Sequence, residues 1–199
     1  MAAPAAATAR GRRTREQLLS AAADLVAERG FLAVGIADIG AAAGVSGAAI
    51  YRHFASKQDM LIALLDRVVE GLRDGARNAV ADARTPEEAL DALIAAHVNF
   101  ALRDRSIIAV YDQEAHTLPD DDRRRIRRTQ RAYAETWVEA LRARTPGLAP
   151  EVARAAVHGA FGLVNSVSDY RTELPGDDLR SVLVVMTTAA VDAVVRDPE

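Results

Sequence analysis

The chain has 199 residues, of which 50% are hydrophobic and only 5% aromatic, and it contains no cysteine. The absence of cysteine excludes disulfides, thiolate metal sites and cysteine nucleophiles, and it fits a cytoplasmic protein. Every apolar run is shorter than the roughly 18 to 20 residues that cross a membrane, so no membrane partner is expected. Residues 1–9 lack the long apolar core of a signal peptide, and we predict a disordered tip there.

Charge is distributed unevenly along the chain. The net charge is −3, yet residues 10–57 include seven basic residues against four acidic ones. A basic head on an acidic body is typical of a DNA-binding domain joined to a domain that does not bind DNA. We therefore predict a boundary near Ser56, with a DNA-binding head over residues 10–56 and a body over residues 57–199.

The first predicted helix follows a basic segment. Thr14 with Gln17 three residues later matches a capping box, and Gly30 is the expected stop of the helix. Ahead of this helix we expect a basic arm that contacts the DNA backbone or enters the minor groove. The arm comprises Arg10, Arg12, Arg13 and Arg15.

Two short helices follow the first one. The second helix is predicted over residues 36–43 and the third over residues 47–53, which together form a helix-turn-helix. Gly44 supplies the positive φ that the turn needs. Val45 fills the angle between the helices, and Ser46 is a suitable N-cap for the third helix.

The third helix is the predicted recognition helix. Its small N-terminal residues let the backbone approach base edges, and Tyr51, His53 and Lys57 are placed to reach phosphates. Base readout is expected from Arg52 or from apolar contacts to thymine methyl groups. The predicted DNA-binding residues are Arg12, Arg13, Ala37, Ser46, Gly47, Ala48, Ala49, Tyr51, Arg52, His53 and Lys57.

The body also has helical spacing throughout, with no strand of alternating period. Ser56 with Asp59 matches a capping box, and the helix that it begins is expected to run to about residue 83. The later helices are predicted over residues 85–103, 106–116, 120–144, 150–172 and 177–196. The sequence thus predicts an all-α fold, with a three-helix helix-turn-helix domain followed by a helical bundle for ligand binding and dimerisation.

No arrangement of catalytic or metal-binding residues is found in the sequence. The four histidines form no i, i+4 pair, and the chain has no nucleophile elbow, phosphate loop or dinucleotide fingerprint. We therefore expect neither an enzyme nor a cofactor nor a metal ion.

The head resembles the signature of TetR-type repressors. The residues that carry the resemblance are Gly30-Phe31, Ile39 to Ser46, Ile50 to Lys57 and Leu61. The resemblance implies a homodimer whose heads bind a palindromic DNA operator and whose body senses a small molecule. It also implies that Tyr51 and Lys57 contact phosphates and that Ser46 to Ala49 face the major groove.

Three features of the head depart from that signature. Val34 and Gly35 stand where threonines are usual, which removes a hydroxyl contact to phosphate, and Gly40 replaces an alanine at a cost in helix propensity. The side chains at the reading positions are small and offer almost no hydrogen bonds to bases. An alternative therefore stays open, namely a helical ligand-binding protein whose head has lost specific DNA recognition.

Large apolar side chains and a few polar ones on the middle helices are candidates for a ligand pocket. They are His97, Phe100, Tyr111, Glu114, Tyr133, Trp137, Phe161 and Asn165. For each of them taken singly, a purely structural place in the core or on the surface is the alternative. Residues 114–119 and 162–166, with Tyr133 and Trp137, are similar to actinobacterial TetR-type regulators of lipid metabolism. This similarity implies a small apolar effector, such as an acyl chain or an acyl-CoA.

The resemblance further implies that the last two long helices pair with those of a second copy. Residues 152–167 suit close helix packing because several of them are small, although packing within the monomer is the alternative. These small residues are Ala155, Ala156, Gly159, Ala160 and Gly162.

A dense charge run occupies residues 120–131, with three aspartates followed by six arginines. One interpretation is a solvated helix face with ion pairs between successive turns. The other interpretation is a basic rim that meets the phosphates of a ligand.

Overall fold

The computed structural model describes residues 9–168 and 172–196, apart from the side chains at positions 9, 10, 47, 48, 195 and 196. Within these ranges the backbone forms nine α-helices and no strand, so the predicted all-α fold is confirmed. The helices are α1 (Ala9–Arg29), α2 (Ile36–Ala42), α3 (Gly47–Ile50), α4 (Lys57–Asp82), α5 (Pro86–Arg103), α6 (Arg105–Glu114), α7 (Asp120–Arg144), α8 (Pro150–Asn165) and α9 (Gly176–Arg196). None of the helices in these ranges is long and apolar enough to cross a membrane.

The chain forms two compact units, residues 1–66 and residues 67–199. Helix α4 contributes its first ten residues to the first unit and the remainder to the second. The domain boundary near Ser56 stays a prediction.

The first unit packs α1, α2, α3 and the start of α4 around an apolar core. Its largest fully buried side chains are Leu18, Leu19, Val34, Ile50, Leu64 and Leu65. Gly30 adopts a φ of +79° and ends α1, while Gly44 adopts a φ of +65° in the turn between α2 and α3. Both positions were predicted, because only glycine enters this region of φ without strain.

The predicted position of the basic arm ahead of the first helix is wrong, whereas its contacts with DNA stay a prediction. Helix α1 begins at Ala9, so residues 10–15 form its first turns, and Thr14 lies inside the helix instead of capping it. The physical reason is that arginine and alanine both favour a helix. The segment before Thr14 contains no proline that would stop the helix, and its single glycine, Gly11, is tolerated within a helix. Of the predicted disordered tip, residues 1–8 lie outside the described residues, and Ala9 is the first residue of α1.

The predicted recognition helix is too long. Helix α3 ends at Ile50, and residues 51–53 form a turn. The Arg52 N–H donates to the Ala49 carbonyl at 3.3 Å and the His53 N–H to the Ile50 carbonyl at 2.8 Å, so the chain tightens into three-residue turns after a single helical turn.

The second unit is a helical bundle around Trp137, which is fully buried on α7. Helix α5 is capped at its start by Thr85, because the Glu88 N–H donates to Thr85 Oγ1 at 3.1 Å and the Arg84 N–H donates to Glu88 Oε2 at 2.8 Å. Helix α8 ends at Asn165, earlier than the predicted residue 172, and residues 166–168 continue as a 3-10 turn.

Candidate functional site

The helix-turn-helix of the head is held together by close backbone packing. The Val45 N–H donates to the Gly40 carbonyl at 2.8 Å, which closes the turn after α2. A Cβ added at Gly40 would lie 2.3 Å from Ile50 Cδ1 and 2.9 Å from the Val45 carbonyl oxygen. The sequence interpretation treated Gly40 only as a loss of helix propensity and missed this steric role. A side chain at position 40 would therefore collide with Ile50 and with the turn after α2 as they are placed here.

The start of α2 is capped without a threonine. Gly35 is the N-cap residue, and its N–H donates to Asp38 Oδ2 at 2.8 Å. An aspartate in the first turn of a helix also interacts favourably with the helix dipole. Asp38 therefore compensates locally for the threonines that are missing at positions 34 and 35.

Several of the predicted DNA-binding residues are exposed to solvent. Ala37, Ser46 and Arg52 are exposed, and Tyr51 is exposed over 60% of its surface. Ala49 and His53 are half-buried, Arg12 and Arg13 are exposed on the first turns of α1, and the side chains of Gly47 and Ala48 lie outside the described residues. The residues just after α3 therefore offer an exposed phenol and an exposed guanidinium.

Lys57, the only lysine of the chain, is held at the start of α4. Its Nζ lies 4.4 Å from the centre of the Phe31 ring and donates to the Leu32 carbonyl at 3.4 Å. A cation over an aromatic face is attracted by the ring quadrupole, and the long side chain is half-buried as a result. Lys57 thus orients the loop after α1 and keeps its charge at the edge of the head.

Five of the eight predicted ligand-site residues come together in the body as a ring cluster. It consists of His97 and Phe100 on α5, Tyr133 and Trp137 on α7, and Phe161 on α8. The His97 and Phe161 ring centres lie 4.6 Å apart, and those of Tyr133 and Phe161 5.3 Å apart with the rings almost parallel. Trp137 meets Phe161 edge-on at 5.1 Å. Such offset and edge contacts are the favoured geometries of aromatic pairs.

The ring cluster contains a buried hydrogen bond between two titratable groups. Tyr133 Oη and His97 Nδ1 are 3.0 Å apart. Burial lowers the pKa of His97 to about 4, and the neighbouring Asn165 side chain opposes that shift. Burial also raises the pKa of Tyr133 well above its ordinary value. Both groups are therefore neutral at physiological pH, so these buried groups in the body are polar but uncharged.

Three further buried polar atoms, His97 Nε2, Trp137 Nε1 and Asn165 Oδ1, form no close hydrogen bond with any described residue. Their side chains nevertheless interact, because a side-chain hydrogen bond with Asn165 opposes the lowering of the pKa of His97, and one with Trp137 opposes the raising of the pKa of Tyr133. The polar groups of the ring cluster are therefore partnered mainly with one another.

In the described part of the chain, no ring contact or hydrogen bond joins Tyr111 or Glu114 to the ring cluster. The Tyr111 hydroxyl donates instead to Gln130 Oε1 at 2.9 Å, joining α6 to α7. Glu114 is half-buried at the end of α6. Their role as ligand contacts stays a prediction.

The charge run of α7 forms ion pairs between successive turns. Arg124 and Asp121 are 2.6 Å apart, Arg125 and Asp122 2.5 Å, and Arg123 pairs with Asp120 in the same i, i+3 register. The first half of the run is therefore a solvated helix face, one of the two interpretations that the sequence allowed.

Comparison with protein families matches both units. The model for bacterial regulatory proteins of the tetR family covers residues 18–64, and that for the tetracyclin repressor-like C-terminal domain covers residues 83–170. The chain belongs to the TetR family. The predicted resemblance is thereby confirmed, and members of the TetR family are regulatory proteins, not enzymes.

Individual TetR-type relatives include both an activator and a repressor. The HTH-type transcriptional activator FasR of Mycolicibacterium smegmatis is 36% identical over 106 residues, 51% of this chain and 48% of its own. The HTH-type transcriptional repressor KstR2 of Rhodococcus jostii is 32% identical over 134 residues, 67% of this chain and 65% of its own. The chain thus spans between about half and just under two thirds of the length of these curated relatives.

A solved TetR-type structure has the same fold over nearly the whole chain. The transcriptional regulator FadR of Bacillus subtilis, in complex with stearoyl-CoA, matches with a TM-score of 0.69 at 21% identity, over 90% of this chain and 97% of its own. The match extends from the helix-turn-helix into the bundle, so both units follow the architecture of TetR-type proteins.

The last two long helices leave small and apolar residues exposed. On α8 the exposed small residues are Ala155, Gly159 and Gly162, and on α9 the exposed large apolar residues are Val182, Val185 and Met186. Ala160 is buried within the body and Ala156 is half-buried, so part of the predicted small-residue set packs inside the monomer.

Proposed function

We propose that the chain is a ligand-responsive transcriptional regulator. As a homodimer it binds a palindromic double-stranded DNA operator, and it releases that operator when a small apolar effector binds to the body. The observation that carries the proposal is the helix-turn-helix of the first unit, whose α2 and α3 are fixed by Gly40 and whose Tyr51 and Arg52 are exposed. A rigid helix pair with an exposed reading edge is the requirement for major-groove recognition.

On the operator, phosphate contacts position the head and few side chains read bases. Tyr51, Lys57, Arg12 and Arg13 supply the phosphate contacts, while Arg52 is the side chain best suited to a base edge. Because α3 is only four residues long, close backbone approach and DNA shape contribute the rest of the specificity.

The effector binds in the second unit, at the ring cluster of α5, α7 and α8. This proposal is supported by the uncharged, aromatic interior around His97 and by the fold shared with FadR, which holds stearoyl-CoA. A long acyl chain needs apolar surroundings over most of its length, so an acyl-CoA is the effector that we propose to test first.

A second copy packs on the exposed faces of α8 and α9. Exposed apolar side chains such as Val185, at 68% exposure, are stabilised when a partner covers them. The small residues Ala155 and Gly159 permit close approach of helices there.

Effector and operator oppose each other through the spacing of the two heads. DNA selects the spacing that matches successive major grooves, about 34 Å apart, and the effector selects another one. Helix α4 is the element that transmits this choice, because it contributes residues to both units.

A mobility-shift assay with DNA flanking the protein's own gene tests the proposal. We expect a sequence-specific complex that weakens as salt concentration rises, because phosphate contacts release counterions. If no genomic fragment is bound specifically while acyl-CoA binding persists, the alternative function is correct and the chain is a ligand-binding protein without DNA recognition.

A further inference from the structure

Three arginines on the outer side of α7 form a positively charged surface. They are Arg127, Arg128 and Arg131, together called the arginine patch, and all three are exposed. Successive residues of a helix are rotated by about 100°, so Arg128 lies on the opposite side of α7 from Ile126, which is fully buried. The arginine patch therefore faces away from the core of the body.

Acidic residues on the neighbouring turns of α7 are already paired with other arginines. Before the patch, Asp120, Asp121 and Asp122 each pair with the arginine three residues later. After the patch, Glu135 is held by Arg154 of α8, whose Nε donates to Glu135 Oε1 at 2.8 Å. In the described part of the chain no ion pair includes a residue of the arginine patch, so its three charges are left to solvent or to another molecule.

The arginine patch is a concentration of positive charge in an acidic body. Residues 67–199 contain 18 basic and 22 acidic residues, yet six of the basic ones lie within residues 123–131. Arg127 and Arg131 are four residues apart and Arg128 and Arg131 are three apart, so these like charges lie on adjacent turns and destabilise the helix. An anion bound to the patch would remove this repulsion.

The chemistry of the patch suits a row of phosphates. Guanidinium groups bind phosphate oxygens through paired N–H donors. From Arg127 to Arg131 the helix rises about 6 Å, and duplex DNA carries one negative charge per about 1.7 Å of its axis, so the charge density of the patch is comparable to that of the duplex. Thr129 lies between these arginines, but its hydroxyl donates to the Arg125 carbonyl of the same helix at 3.4 Å.

We propose that the arginine patch binds the phosphate backbone of double-stranded DNA, as a sequence-independent contact of the body that adds to the contacts of the head. Relatives of the chain are HTH-type transcriptional regulators, and this favours DNA over other polyanions as the partner. The inference goes beyond the proposed function, which assigns the DNA contacts to the head, and rests on it only in taking DNA as the partner.

Removal of the three charges tests the inference in the full-length protein. The patch variant carries Arg127→Gln, Arg128→Gln and Arg131→Gln, because glutamine has a helix propensity close to that of arginine but no charge. Fluorescence anisotropy measures binding to the operator fragment and to random duplexes of equal length at several salt concentrations. We expect both affinities to fall by about tenfold at low salt and the salt dependence to fall by about two to three counterions, since phosphate contacts are blind to sequence.

A control variant removes the same number of positive charges from another part of the body. It carries Arg73→Gln, Arg77→Gln and Arg84→Gln and should keep the affinity and the salt dependence of the unmodified protein. Lysine in place of all three arginines of the patch should restore most of the salt dependence, because it restores the charge. If thermal melts show that the patch variant is unfolded, the single substitution Arg128→Gln takes its place, with an expected loss of about one counterion.

Unchanged affinity and salt dependence in the patch variant, an equal loss in the control variant, or no DNA binding by the unmodified protein would overturn the inference. So would unchanged DNA binding together with weaker binding of acyl-CoA or of phosphatidylglycerol vesicles, which would assign the patch to the phosphates of another molecule. Failure of the proposed function gives a different result. Patch-dependent binding of random DNA without specific operator recognition upholds the inference and contradicts that function, whereas specific operator binding with the same salt dependence in both proteins has the opposite meaning.

Discussion

The two units of the chain differ in where their polar side chains lie. Among the described residues of the head, the buried side chains are apolar, and Tyr51 and Arg52, two of the predicted DNA contacts, are exposed. In the body several small and apolar residues of α8 and α9 are exposed, whereas His97 and Tyr133 place a hydrogen-bonded polar pair in the interior. We therefore propose that DNA binding by the head relies on shape and backbone position, and that effector binding by the body involves its buried polar groups.

The largest expected effect concerns acid stability, which should depend on the body alone. The pKa of His97 is lowered to about 4 in the folded protein, whereas an unfolded histidine titrates near 6.5. Between these values only the unfolded state binds the proton, so the free energy of unfolding should fall by about 3 kcal/mol as pH drops from 6.5 to 4. Above pH 6.5 this contribution is fully present.

Urea titrations across that pH range measure the effect. The double substitution of His97 and Tyr133 by phenylalanine should flatten the pH dependence, while His116→Gln, at an exposed histidine, should leave it unchanged. An unaltered slope in the double variant would show that another group causes the acid sensitivity.

The next effect tests whether the stability of the head and its binding to operator depend on the absence of a side chain at Gly40. Gly40→Ala should cost about 2 kcal/mol in stability and weaken operator binding, because its Cβ meets Ile50 and the Val45 carbonyl. Gly71→Ala is the matched control, since a Cβ there meets nothing within 4 Å and alanine favours helix. Thermal melts and anisotropy with labelled operator measure both. Equal behaviour of the two variants would refute close packing of α2 on α3.

A third prediction separates reading from positioning on the head surface. Arg52→Ala should reduce discrimination between operator and random DNA by about 1 kcal/mol or more. Lys57→Ala should weaken binding to both DNAs alike and lower the salt dependence by about one counterion. Salt-dependent anisotropy titrations measure the two slopes, and identical effects of the two substitutions on specificity would contradict the division of roles.

The smallest effect compares helix caps in the two units. Thr85 Oγ1 accepts a hydrogen bond from the Glu88 N–H, whereas Ser46 caps α3 without a side-chain hydrogen bond. Thr85→Ala should therefore cost about 1 kcal/mol, and Ser46→Ala only a few tenths. Chemical denaturation measures the loss of stability in both variants. A larger loss for Ser46→Ala than for Thr85→Ala would contradict the prediction.

Local signals in the sequence predicted several helix ends in both units. Gly30, Gly44 and Thr85 each fix a helix end through φ or a cap, and these depend on neighbours along the chain. The first helix was misjudged because a basic segment was interpreted as an arm, although arginine itself favours helix.

The ligand site was predictable only as a set of residue types. Composition indicated His97, Tyr133 and Phe161, but their convergence depends on how α5, α7 and α8 cross, which no local pattern specifies. Tyr111 was a candidate ligand contact on the same grounds, yet its hydroxyl donates to Gln130 Oε1. Gly40 was undervalued for a similar reason, since its importance lies in contacts with Ile50 ten residues away.

The central claim is that effector and operator oppose each other in one protein. The most direct measurement is the affinity for the selected operator fragment, without and with saturating amounts of the best-binding acyl-CoA. The account predicts at least about a tenfold weakening, with an equal weakening of acyl-CoA binding when operator is saturating, because binding linkage is reciprocal. An operator affinity that is the same with and without bound acyl-CoA would contradict it.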